Sequence, residues 1–105
     1  MLRSEKIYEI KELNGMEYAY PIRTDWSTDE MIQVTHFFTM IESAYESGAV
    51  SIAVKEAYKE FKKIVPSKAE EKTLFKEFEQ VSGYNSYQVV KKAQANEDNV
   101  TIHMT

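Results

Sequence analysis

Cysteine is absent from the 105 residues, which excludes disulfides, thiolate metal sites and cysteine nucleophiles. Histidine is nearly so: His36 and His103 are the two present. They fall in different segments with no acidic helix partner at metal spacing, so no metal or other cofactor is expected, and His36 is read as a partly buried packing residue. Gly15, Gly48 and Gly83 stand alone. Each has a turn or helix-end role, which leaves no glycine-rich loop to cradle a phosphate. No apolar run approaches the length of a membrane span and the N-terminus lacks the apolar core of a secretory signal, so the expected setting is the cytoplasm, without a membrane partner.

Net charge is also on the wrong side for one class of function. At −4 the chain is not expected to bind nucleic acid generally, because that binding is driven by lysine and arginine releasing counterions. The charge is uneven: residues 1–54 hold four basic and nine acidic side chains, residues 55–105 nine and eight. What the chain does have is aromatic side chains, with seven tyrosines, five phenylalanines and Trp26. A chain of this length forms one domain that buries roughly two-thirds of its unfolded surface, and this composition points to a compact aromatic core.

The most legible stretch runs from Lys62 to Ala93. Val65 precedes Pro66, which pushes it out of the α region, so a helix arriving at Ile64 should stop there. Ser67 restarts the chain: its hydroxyl can accept from the Glu70 amide while the Glu70 carboxylate reaches back to the Ser67 amide, a capping box that makes Pro66-Ser67 a hinge between helices. Leu74, Phe75, Phe78 and Val81 form one apolar stripe. Gly83 ends that helix, with Tyr84 placed to fold back toward Phe78. Asn85 or Ser86 can then cap a short last helix carrying Tyr87, Val89, Val90 and Ala93.

Upstream, residues 1–15 are open to two readings. Asn14-Gly15 between KIYEIKEL and the alternating Met16, Tyr18, Tyr20 and Ile22 fits a hairpin with a type I′ turn. A helix capped by Ser4, facing Ile7, Ile10 and Leu13 inward and stopped at Asn14-Gly15, is equally writable. The segment is expected to act as an N-terminal extension of little structural weight. Ser27 and Glu30 make a second capping box, and Trp26 can staple onto Met31. Met31, Val34, Phe37, Phe38, Ile41, Ala44 and Tyr45 give a helix of about eighteen residues that stops at Gly48. The short connection beyond it implies an antiparallel neighbour, with Val50, Val54, Ala57, Tyr58, Phe61 and Ile64 on its apolar face. Residues 96–105 are polar and are expected to fray. The expected fold is all-α: a small antiparallel bundle of three main helices plus a short C-terminal fourth, with residues 16–95 as the single domain.

Several strings are specific: Tyr20-Pro21-Ile22, Asp25-Trp26-Ser27-Thr28, the run Ala57-Tyr58 through Phe61-Lys62, Ile64 through Lys72, Phe75 through Phe78, and Ser82-Gly83-Tyr84 with Ser86-Tyr87. On these the sequence from Met16 to about Ala93 resembles the YktA-like proteins, an uncharacterised family of low-GC Gram-positive bacteria. The resemblance implies a compact all-helical fold in a bacterial cytosol and transfers no activity. Residues 1–15 lie outside it.

Candidate chemistry thins out quickly. Glu70 and Glu71, as helix neighbours, point about 100° apart and do not converge as an acid and base pair; capping and a solvated face explain them. Ser67 and Lys68, adjacent on one turn, cannot make a nucleophile pair. Two features remain. Lys55, Lys59, Lys62, Lys63 and Lys68 form a basic face across the hinge where a helix-turn-helix reader places phosphate contacts, although an ordinary solvated face balanced by Glu56, Glu60, Glu70 and Glu71 is the plainer account. Tyr84 and Tyr87 could present a binding edge or simply close the core. The expected function is therefore a non-catalytic helical interaction module, an adaptor or regulator that binds another protein. A nucleic-acid-associated protein using the lysine face is the alternative, and an enzyme ranks below both.

Overall fold

The computed structural model describes residues 10–13 and 16–104. Its elements run β1 (Ile10–Leu13), β2 (Met16–Ala19), α1 (Thr28–Glu46), β3 (Ala49–Val50), α2 (Ser51–Ile64), α3 (Lys68–Ser82), α4 (Ser86–Gln94) and β4 (Thr101–Ile102). The fold is all-α in class, with two small antiparallel ladders at its margin: β1 with β2, where Leu13 opposes Met16, and β3 with β4, where Ala49 opposes Ile102. Over residues 10–13 the hairpin reading holds and the helical one is overturned. The Ser4 cap, Ile7 and the Asn14-Gly15 turn lie outside the described residues.

Helix α1 starts where its box requires. The Ser27 hydroxyl accepts the Glu30 amide at 3.1 Å and the Glu30 carboxylate accepts the Ser27 amide at 2.8 Å, while Trp26 and Met31 are both buried, as a staple expects. Helix α3 carries only half of such a box. Ser67 accepts the Glu70 amide at 3.2 Å, but among the described residues the return bond occurs in α1 alone. Val65 leaves the α region at ψ 73° ahead of Pro66, and Gly83 ends α3 at φ 81°.

All five phenylalanines meet in one ring network. Phe37 stacks on Phe61 at 4.7 Å, Phe38 lies 4.4 Å from Phe78, and Phe75 sits 5.6 Å from Phe61 and 5.7 Å from Phe37. Three helices are thereby joined around one aromatic centre, and Tyr18 and Tyr20 of the hairpin side reach its edge, at 6.1 and 6.0 Å from Phe78.

Four expectations need correction. Val81 is 45% exposed, because the buried face of α3 runs through Glu71, Leu74, Phe78 and Ser82 and Val81 stands beside it. Val50 caps α2 from the surface instead of joining its apolar face. His36 is exposed on α1. The tail does not fray: Ile102 is 1% exposed, β4 pairs with β3, and the Met104 amide bonds to the Ala44 carbonyl at 3.0 Å. The reason lies in α2, which begins without a side-chain cap. Its orphaned first-turn amides, Ser51 and Ile52, find the Val100 and Asp98 carbonyls at 2.7 and 2.9 Å.

Candidate functional site

Two buried carboxylates organise the polar interior. Glu42, 2% exposed, accepts the Tyr18 hydroxyl at 2.5 Å and the Tyr20 hydroxyl at 2.6 Å. Alternation along the strand and into Tyr20 sends both rings to the same side, so one α1 carboxylate clamps the segment leaving β2. Burial, and then the bond to Glu42, holds the Tyr18 phenol well above the ordinary tyrosine range. Glu71 on α3 is buried as well. It accepts Lys62 at 2.6 Å and the Tyr58 hydroxyl at 2.7 Å, tying α2 to α3 across the Pro66 hinge. Burial, and then the bond to Glu71, raises the Tyr58 phenol too. Glu71 is thus not part of a solvated face, and Glu70, one residue earlier, points elsewhere, as the 100° step demands.

Over the Tyr58–Glu71 pair opens a groove of about 710 Å³ between α3 and the start of α4, a size ordinary for ligand sites. Its apolar surface comes from Tyr58, Ala69, Phe75 and Tyr87, and its basic rim from Lys68, Lys72 and Lys76. These lysines recur every fourth residue, so they stand in a row on one face of α3. All three are exposed, and among the described residues none is paired with an acid. Glu79 closes the row at its far end. Opposite them, Asn85 caps α4 by accepting the Gln88 amide at 3.0 Å, and Ser86 keeps its hydroxyl oxygen buried with no hydrogen-bond partner among the described residues.

The residues singled out from sequence are divided by this geometry. Tyr87 is 56% exposed in the groove wall with the Lys91 ammonium 5.7 Å from its ring centre, and Lys68 begins the rim. Tyr84 lies away from the groove: it stacks on Tyr45 at 4.4 Å, not on Phe78, and its hydroxyl donates to Glu46 at 2.8 Å. Burial, and then that bond, raises its phenol. Lys55 holds the tail through the Asn96 carbonyl at 2.9 Å and Asp98 at 2.8 Å; Lys62 is bound to Glu71; Lys63 pairs with Glu60 at 3.1 Å; Lys59 is exposed on α2. Lys55, Lys59, Lys62 and Lys63 keep the spacing of one side of α2, but Lys55 and Lys62 are engaged within the fold and Lys68 stands on α3 at the groove.

Sequence reasoning missed Glu42, Lys72, Lys76 and Ser86. Glu42 follows Ile41 directly within an apolar stripe, and the only hint of its burial is the pair of tyrosines two residues apart that need an acceptor. The lysine row was visible as a four-residue period on α3, but it borders a groove only once α4 is placed.

Among the described residues no group of three His, Asp or Glu side chains could hold a metal, and no helix is long and apolar enough to cross a membrane. Fold and site together define a small helical domain with a hairpin, an aromatic core and a lysine-rimmed groove. The chain belongs to the uncharacterised protein family UPF0223, whose family model matches residues 17–102. It is similar to the UPF0223 protein of Staphylococcus saprophyticus, 58% identical over 79% of this chain and 90% of that one. Another relative, in Lysinibacillus sphaericus, is 52% identical over 83% of this chain and 92% of its own length. One in Staphylococcus aureus strain Newman is 53% identical over 82% and 97%. The resemblance to a family of low-GC Gram-positive bacteria is borne out, and the match runs through to Ile102, taking in the tail strand.

Proposed function

We propose that this protein is a non-catalytic interaction module of the bacterial cytoplasm, an adaptor or regulator that binds another protein through the groove between α3 and α4. The observation that supports this reading is a half-exposed aromatic surface, Phe75 and Tyr87, beside three lysines that pair with no acid among the described residues. Aromatic side chains that combine an apolar body with a polar tip are enriched at protein interfaces. Use of the α2 lysines for nucleic acid is less favoured, because Lys55 and Lys62 are engaged by the tail and by Glu71 and Lys63 pairs with neighbouring Glu60.

Capture from cytosol tests the reading. Immobilised protein should retain a partner that both Tyr87→Ala and Lys72→Glu lose, with the melting of both variants unchanged. Equal retention by the variants, or no retained protein, overturns it. Retardation of DNA or RNA that weakens steeply with salt would favour the alternative instead.

A further inference from the structure

The groove carries enough charge and shape information to specify its occupant. Of the charged residues that line it, Glu71 is buried and already bound by Lys62 and Tyr58. Among the described residues the rim therefore presents Lys68, Lys72 and Lys76 against Glu79. On a chain of net charge −4 this is a local reversal of sign, the arrangement that steers an acidic partner to one place. The three ammonium groups are spaced by four residues of helix, about 6 Å apart, and span about 12 Å, roughly two turns. Carboxylates one turn apart on a second helix have the same spacing. Among the described residues an extended segment finds no strand edge to extend, because neither ladder lines the groove, whereas a helix satisfies its own backbone and offers an apolar stripe to Phe75 and Tyr87. At the α4 end, Ser86 lines the groove, and its hydroxyl oxygen is the one buried side-chain polar atom without a partner among the described residues.

We propose that the groove takes an acidic amphipathic helix of a partner protein, laid along α3 with its carboxylates on Lys68, Lys72 and Lys76 and its apolar stripe on Phe75 and Tyr87. This rests on the interaction-module reading above. The charge order also sets direction: the end of the partner helix that meets Glu79 is neutral or basic.

Two synthetic helical peptides with the same apolar stripe test it, one bearing glutamate at every fourth position along one edge and the other lysine. Binding is read from amide shifts of the labelled full chain and from fluorescence anisotropy. The glutamate peptide should shift residues 68–79 and 85–87, and should bind about tenfold more weakly to the Lys68→Glu/Lys72→Glu/Lys76→Glu variant. The lysine peptide should prefer that variant to the wild type. All three sites are exposed, so the variant should melt as the wild type does. Equal binding of the glutamate peptide to both proteins, or shifts outside the groove, overturns the proposal. So does a short DNA duplex that shifts the same amides at lower concentration than the peptide. If a cytosolic partner is captured through Tyr87 while the glutamate peptide does not bind, the acidic helix is wrong and the interaction reading stands. If no partner is captured, that reading falls, whatever the peptide does.

Discussion

The Val100 carbonyl accepts the Ser51 amide at 2.7 Å, so the first turn of α2 is capped by a residue 49 positions further along the chain. A helix with neither a side-chain cap nor an acidic residue in its first turn has its start completed from the opposite terminus.

Removal of residues 96–105 should therefore destabilise the whole domain and not merely shorten it. Ile102→Ala alone should cost about 2–4 kcal/mol, the range for truncating a fully buried aliphatic side chain. Denaturant midpoints of the full chain and the variant check this; a midpoint unchanged by Ile102→Ala would mean that the tail is not part of the core.

The two helix-ending glycines should respond differently to alanine. Both have positive φ, 109° at Gly48 and 81° at Gly83, which costs an L-residue about 1–2 kcal/mol. A Cβ at Gly83 meets open space, whereas one at Gly48 comes within 2.6 Å of His103 Cε1 and 3.0 Å of Thr101 Cγ2. Gly48→Ala should thus be the more damaging, and thermal melting of the pair should show Gly83→Ala near the backbone cost alone.

Glu42 predicts non-additivity. Tyr18→Phe or Tyr20→Phe withdraws one donor from a buried carboxylate and should cost about 1–3 kcal/mol. Glu42→Ala removes the acceptor that the two hydroxyls share. The three sites share one network, so the double variant Tyr18→Phe/Glu42→Ala should lose less than the sum of its singles. A double-mutant cycle on unfolding free energies measures the difference.

Stability should decline in alkali. The folded-state phenols of Tyr18, Tyr58 and Tyr84 are raised above an unfolded value of about 10. Below that pH both states hold these protons, and the stabilisation is complete. Above it the unfolded chain releases protons that the folded chain retains, so stability falls as pH rises toward the folded values. Urea midpoints on either side of pH 10 should show the loss, and Tyr18→Phe should reduce its slope.

The two N-terminal caps separate a reciprocal box from a half box. Ser27→Ala and Ser67→Ala should each cost about 1 kcal/mol. Glu30→Ala should couple to the first, whereas Glu70→Ala should cost only the few tenths expected of an acid near a helix N-terminus and should add to the second. Four single and two double variants, compared by denaturant midpoint, distinguish the cases.

Helix starts, helix stops and the apolar stripes were legible because each is local chemistry: Ser27 and Glu30 lie on one turn, Pro66 acts on its immediate neighbour, and Gly83 needs only its own φ. The long-range polar contacts were not. That Glu42 would be buried depended on where two tyrosines from the hairpin side came to rest. That Lys62 would answer Glu71, and not water, depended on how sharply the hinge folded α3 back on α2. The tail is the clearest case. Residues 96–105 have the composition of a fraying end, and the β-branched run Val100-Thr101-Ile102 is too short to hold a strand by itself; it pairs because Ala49, Ser51 and Ile52 leave backbone groups to be satisfied at the start of α2. The groove follows the same rule. The row Lys68, Lys72, Lys76 is written in the spacing of α3, but its wall of Tyr87 and Ser86 arrives only when α4 packs, since a concave surface needs two elements and local sequence describes one.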